Sequence, residues 1–188
     1  MNIKDFWTII DQAREESDGW ENMYEPLVER LSALDVSEIL LWKNIFDEYQ
    51  NLSYKNKLWA AAYIINGGCS DDGFDYFRGW LTAQGKSVFL KALKDPDSLA
   101  DEETVEEDIE FEDMLGVASD AYFNRLGIEE PDYDRFYNDL EKYPLPEDLK
   151  KEMVSEIEYP EDIDIEWDED DGEELEKLLP KLCKAFDW

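Results

Sequence analysis

The stretch Asn66–Gly85 reads NGGCSDDGFDYFRGWLTAQG and gathers, in one place, the side chains of this chain best suited to chemistry. Cys69, Ser70, Asp71, Asp72, Asp75, Arg78 and Trp80 stand there among Gly67, Gly68, Gly73 and Gly79, four of the chain's nine glycines. Two chemistries fit. A glycine pair after an apolar helix lets the backbone reverse. Ser70, Asp71 and Asp72 then stand where carboxylate and hydroxyl oxygens accept from the free amides that open the next helix. Alternatively, the same groups line a polar ligand pocket. Arg78 lies three residues after Asp75, so it is expected to pair with Asp75 within a helix, or with Asp71 or Asp72 across the turn. Gly79 inside a helix costs about 1 kcal/mol relative to Ala, which points to a close neighbour, and packing is the expected cause.

Two or three carboxylates on a turn suit a hard cation, but the calcium-loop pattern fails at both acidic glycine sites. With Gly73 at the central position, Gly68 falls where the first Asp belongs; with Gly172 there, Trp167 does. No metal site and no cofactor are expected. Cys69, near a helix N-terminus, has one feature of a reactive thiol. The chain has no histidine, however, which removes Cys-His and Ser-His-Asp chemistry and His-ligated zinc. A buried structural cysteine is expected, and Cys69 and Cys183 are read as free thiols. With no phosphate loop, dinucleotide fingerprint or CxxC pair, no catalytic residue is assigned.

The second candidate site comes from charge. Fifty acidic and eighteen basic side chains give −32, very unevenly spread. Residues 1–94 carry −5, residues 95–174 carry −28 and residues 175–188 carry +1. Such a surface repels phosphate backbones, so direct nucleic-acid binding is not expected. It attracts basic proteins over a distance set by salt. The block Trp167–Glu174 (WDEDDGEE) reads as a solvated tail or loop, or, in a sharper reading, as a docking surface with Trp167 as apolar anchor and Asp168, Glu169, Asp170 and Asp171 as its charges. The first twenty residues carry acidic groups and no apolar run of signal-peptide type. No stretch approaches the roughly 18 apolar residues of a membrane span. A cytoplasmic protein without membrane partners is the expectation.

The elements that must position these groups read as helices. Ile3, Phe6, Trp7 and Ile10 form one stripe with Asn2 as cap, and Met23, Leu27, Leu31 and Leu34 another after Asp18-Gly19. A third opens at Ser37 and carries Leu41, Ile45, Phe46 and Tyr49. Leu58–Ile65 is apolar nearly all round and belongs inside the fold. Phe74–Ala83, Ser87–Leu93, a turn at Asp95-Pro96-Asp97, a long amphipathic helix over Glu106–Leu126 and a short one at Tyr133–Tyr143 follow. Glu158–Gly172 reads as an exposed acidic loop with a hint of a strand at Ile163–Trp167. Glu173–Phe186 reads as a closing helix that Pro180 kinks or splits. The expected fold is all-α, an irregular single-domain bundle of about seven or eight helices. Residues 1–127 would form its core, and residues 128–188 an acidic extension, partly loop, packed upon it.

The string GGCSDDGFDYFRGWL resembles the hallmark of a bacterial family known as domain of unknown function 4240. The likeness extends to Asp5-Phe6-Trp7, Leu58-Trp59-Ala60-Ala61, Gln84-Gly85 and Asp95-Pro96-Asp97-Ser98-Leu99-Ala100, and covers residues 1–125. It implies a bacterial cytosolic protein and brings no established reaction. Two functional readings stand. One is a non-enzymatic binding protein, toxin-neutralising or inhibitor-like, whose acidic surface engages a basic protein partner. The other is an enzyme or a small-ligand or metal-binding domain centred on the Gly67–Trp80 turn.

Overall fold

A computed structural model of the chain describes residues 1–103, 105 and 108–188. The fold is all-α, with eleven α-helices and three short 3₁₀ segments among the described residues. The helices are α1 (Ile3–Glu16), α2 (Tyr24–Ser32), α3 (Val36–Ser53), α4 (Asn56–Ile65), α5 (Asp71–Ala83) and α6 (Lys86–Lys94). After them come α7 (Val117–Leu126), α8 (Tyr133–Leu140), α9 (Glu147–Glu156), α10 (Gly172–Leu178) and α11 (Pro180–Ala185). Among the described residues no helix is long and apolar enough to cross a membrane.

The expected stripes form the centre. Asn2 caps α1 with a reciprocal box: the Asp5 amide donates to Asn2 Oδ1 at 2.9 Å and the Asn2 amide to Asp5 Oδ2 at 3.2 Å. Ile3, Phe6, Trp7 and Ile10 then pack inward, and the Trp7 indole donates to the Tyr49 hydroxyl at 3.1 Å. The central helix is α3, which touches α1, α5, α7, α8 and α9. Residues on both sides of position 127 share one core: Phe136, Met153, Leu175, Leu179 and Leu182 join Phe6, Trp42 and Trp80 in it.

The helix number exceeds the seven or eight expected, for local reasons. The weakly patterned segment after Pro146 winds into α9, held by one buried side chain, Met153. Pro180 splits the closing helix, and α11 begins at the proline itself. The split end is capped from far away in sequence. Asp97 accepts from the Lys181 amide at 3.0 Å through Oδ1 and 3.1 Å through Oδ2, and from the Leu182 amide at 3.0 Å.

The long helix expected over 106–126 is shorter. Its positions 106 and 107 lie outside the described residues; a 3₁₀ segment occupies Glu112–Leu115 and the α-helix starts at Val117. Tertiary hydrogen bonds win over local propensity here. The Asn66 side chain clamps Ile109, accepting from its amide at 2.9 Å and donating to its carbonyl at 3.0 Å. The Phe111 amide donates to the Tyr76 carbonyl at 3.3 Å. No strand forms at 163–167 either. Ile163 is buried while Ile165 is exposed, so the two do not share a face as alternation demands.

Candidate functional site

Helix α4 ends in a Schellman turn at the glycine pair. Gly67 and Gly68 take φ of +63° and +135°, and the Gly68 amide donates to the Tyr63 carbonyl at 2.8 Å. Ser70 caps α5, its hydroxyl accepting from the Gly73 amide at 3.1 Å. Between them, the Trp59 indole donates to the Cys69 carbonyl at 3.0 Å. The turn is therefore fixed by hydrogen bonds at each of its steps.

Arg78 leaves α5 toward α3 and is only 4% exposed. Its Nε donates to the Phe74 carbonyl at 3.3 Å, one terminal nitrogen to the Gln50 carbonyl and the other to Asp75. The guanidinium rests against two neighbouring rings, 4.8 Å from the centroid of Tyr54 and 4.7 Å from that of Phe74, whose own centroids are 5.6 Å apart. Burial pushes its pKa below the ordinary arginine value, and the neighbouring Asp75 opposes that shift. Trp59 stacks on Phe74 at 5.0 Å, which extends the aromatic wall. The sequence-derived pairing of Arg78 with Asp75 is present, while Asp71 faces Tyr54 instead, accepting from its hydroxyl at 2.7 Å. That carboxylate is the main cause holding the Tyr54 hydroxyl protonated above its usual range.

The remaining candidates divide. Asp72 is exposed, and Trp80 is fully buried with its ring 5.3 Å from that of Phe77, in the core rather than at the turn. Cys69 is half-buried, and burial together with the charge of Glu110 pushes its thiol up to about 12, away from nucleophilic chemistry. Among the described residues no three His, Cys, Asp or Glu side chains gather closely enough to hold a metal ion. Gly79 has the close neighbour its position implied. A Cβ added there would stand 2.9 Å from the Phe111 carbonyl oxygen and 3.3 Å from Met114 Cβ. Gln50 and Tyr54, both contacts of Arg78, escaped the sequence reading. Gln50 follows the inward Phe46 by four residues, and a polar group on an apolar face signals a partner. Beside this cluster lies an open groove of about 490 Å³ lined by Gln50, Tyr54, Asp75, Arg78 and Leu115 among others.

The second candidate region is built differently. Trp167 is half-buried; its indole donates to the Asn56 carbonyl at 2.9 Å and its ring lies 5.3 Å from Tyr63. It anchors the acidic segment to α4. Just before it, Lys57 donates its amide to the Ile163 carbonyl at 2.9 Å, and the Tyr159 hydroxyl donates to the Leu52 carbonyl at 2.7 Å. Asp168 to Asp171 are exposed. Asp171 caps α10 by accepting from the Glu174 amide at 3.0 Å, and Asp168 accepts from the Asp170 amide at 3.0 Å.

The fold and the turn can be set beside known proteins. No curated protein and no solved structure matches the chain. A family model described as "Protein of unknown function (DUF4240)" matches residues 1–124, a span that holds the Schellman turn, the Arg78 cluster and the Asn66–Ile109 clamp. The chain belongs to the DUF4240 family.

Proposed function

We propose that this protein is a non-enzymatic binding protein whose acidic surface engages a basic protein partner, in the manner of an inhibitor that fills a cationic groove. One observation carries the reading: among the described residues, nine of the thirteen lysines are drawn into internal pairs while many carboxylates are left open. Lys55 pairs with Asp164 at 2.7 Å, Lys57 with Asp162 at 2.6 Å and Lys86 with Glu156 at 2.7 Å. Lys94 pairs with Glu158 in the same way. By contrast, Glu129, Glu130, Asp134, Glu141, Asp168, Glu169 and Asp170 are exposed, and none has a basic partner among the described residues. Carboxylates without local counter-charges project a field that steers cations.

The test is capture from a lysate of the protein's own host, followed by titration of the captured protein at increasing salt. The expected result is a basic protein whose affinity falls steeply between about 50 mM and 0.5 M salt. Affinity unchanged over that range refutes the reading. Neutralisation of Asp168, Glu169 and Asp170 to their amides tests one part of that surface, sparing Asp171 because it caps α10. Truncation after Gly127 is unsuitable, since the segment beyond it supplies Phe136, Met153 and Leu182 to the core.

The groove beside Arg78 favours a second reading, a small-ligand site lined by Tyr54 and Asp75. Arg78 already donates to Gln50, Phe74 and Asp75, so Tyr54 and Asp75 would carry recognition. A thermal-shift screen of metabolites against the wild type and Asp75→Asn tests it; a stabilising metabolite that Asp75→Asn no longer binds supports it, and a flat screen removes it.

A further inference from the structure

We infer that the exposed face of α8 is the part of the acidic surface that grips the partner, and that it selects arginine over lysine. This inference rests on the proposed function and adds to it a place and a chemical preference.

Helix α8 buries one side chain, Phe136, which packs 5.2 Å from the Tyr122 ring. Its two tyrosines remain outside: Tyr133 is 51% exposed and Tyr137 is 55% exposed. At four-residue spacing they are neighbours on one strip of the helix. Each ring is braced from beneath by a buried aromatic. Tyr133 meets Phe123 edge-on at 5.4 Å, and Tyr137 meets Phe136 at 5.3 Å. Rings held in this way lose little freedom when a partner covers them, which is why tyrosine recurs at binding hot spots. Leu126 and Tyr143 expose further apolar surface nearby in sequence.

The same face of the helix is acidic overall. Glu141 follows Tyr137 by one helical turn, Asp134 flanks Tyr133 about a quarter-turn round the helix, and Glu129 and Glu130 lie just ahead of it, so the carboxylates outnumber the exposed Arg135. Asp139 is different: it accepts from the Tyr122 hydroxyl at 2.6 Å and pairs with Lys142, which keeps its carboxyl below the usual range. A flat ring next to an open carboxylate is the pairing that a guanidinium satisfies with both its face and its fork. An ammonium satisfies only the charge. The occupant is therefore an arginine-bearing segment of a basic protein. A second copy of this chain is disfavoured by its own −32, and a nucleic acid by its phosphates.

The experiment titrates the full chain with an arginine-rich synthetic peptide and with its all-lysine counterpart at low salt. Circular dichroism of every variant checks the fold. The expected result is arginine binding about tenfold tighter than lysine binding, with that advantage abolished in Tyr133→Ala/Tyr137→Ala. Asp134→Asn/Glu141→Gln, which leaves the aromatic packing intact, should weaken both peptides and so checks the site without risk to the fold. Equal affinities for the two peptides, or an arginine preference that survives the tyrosine substitutions, overturn this inference while leaving the acidic-surface reading in place. Failure of both peptides to bind at low salt overturns both.

Discussion

Substitution of Gly79 by Ala sets two effects of opposite sign against each other. In the middle of α5, alanine gains about 1 kcal/mol over glycine from helix propensity and a less disordered unfolded chain. Against it stands the added methyl, 2.9 Å from the Phe111 carbonyl oxygen and 3.3 Å from Met114 Cβ. The first contact cannot relax cheaply. Phe111 is tied to α5 through its amide, and Ile109, two residues before, is clamped by Asn66. Overpacking costs about 1–3 kcal/mol, and a fixed backbone oxygen at 2.9 Å puts this contact at about 2–3, so against the gain of about 1 kcal/mol the net expectation is a loss of about 1–2 kcal/mol. Urea unfolding followed by tryptophan fluorescence reads this as a lower midpoint at unchanged slope. Gly172→Ala is the control: no atom lies within 4 Å of its added methyl, and it opens an exposed helix, so it should be neutral or slightly stabilising. If Gly79→Ala proves as stable as the wild type, close packing of α5 on residues 109–115 is not what requires the glycine. The groove beside the helix would then become the better explanation.

Asp97→Ala should cost about 2 kcal/mol in the same assay, because it strips two backbone amides of α11 of a nearly buried carboxylate, whereas Asp97→Asn should retain part of the cap. Cys69 of the folded chain should react with iodoacetamide at mildly alkaline pH more than about tenfold slower than the same thiol in urea. Its folded pKa is raised from the usual 9.0 to about 12. Folding therefore keeps this contribution below pH 9.0 and loses it as pH rises from there toward about 12, which alkaline melting of the wild type against Cys69→Ala would show. Added NaCl from about 20 mM to 0.5 M should raise Tm, since exposed ion pairs contribute at most about 1 kcal/mol each while screening relieves the repulsion within a chain of −32. A falling Tm would mean that pairs such as Lys55–Asp164 and Lys57–Asp162 hold more of the fold than their exposure suggests.

The sequence by itself was enough for whatever depends on local periodicity and end chemistry. Ile3, Phe6, Trp7 and Ile10 declare a helix because their spacing matches its pitch, and Asn2 declares its start because its side chain reaches the amide of Asp5. The glycine pair and Ser70 announced a turn and a cap, and the three-residue spacing of Asp75 and Arg78 offered their pairing beside Asp71 and Asp72 as the other partners open to Arg78. Only the tertiary structure decided what long-range partners control. Arg78 rests against Tyr54 and Phe74 and donates to Gln50 because α3 ends beside α5, which no spacing along the chain reveals. Over residues 108–116 the helix expected from the sequence gives way to the Asn66 clamp and a 3₁₀ segment, and α11 is capped by a residue more than eighty positions earlier. Composition likewise recorded the excess of carboxylates but not which of them meet lysines. The physical reason is common to these cases. Periodicity and capping act over one turn of chain, whereas burial and hydrogen-bond partners across the fold are properties of the packed state.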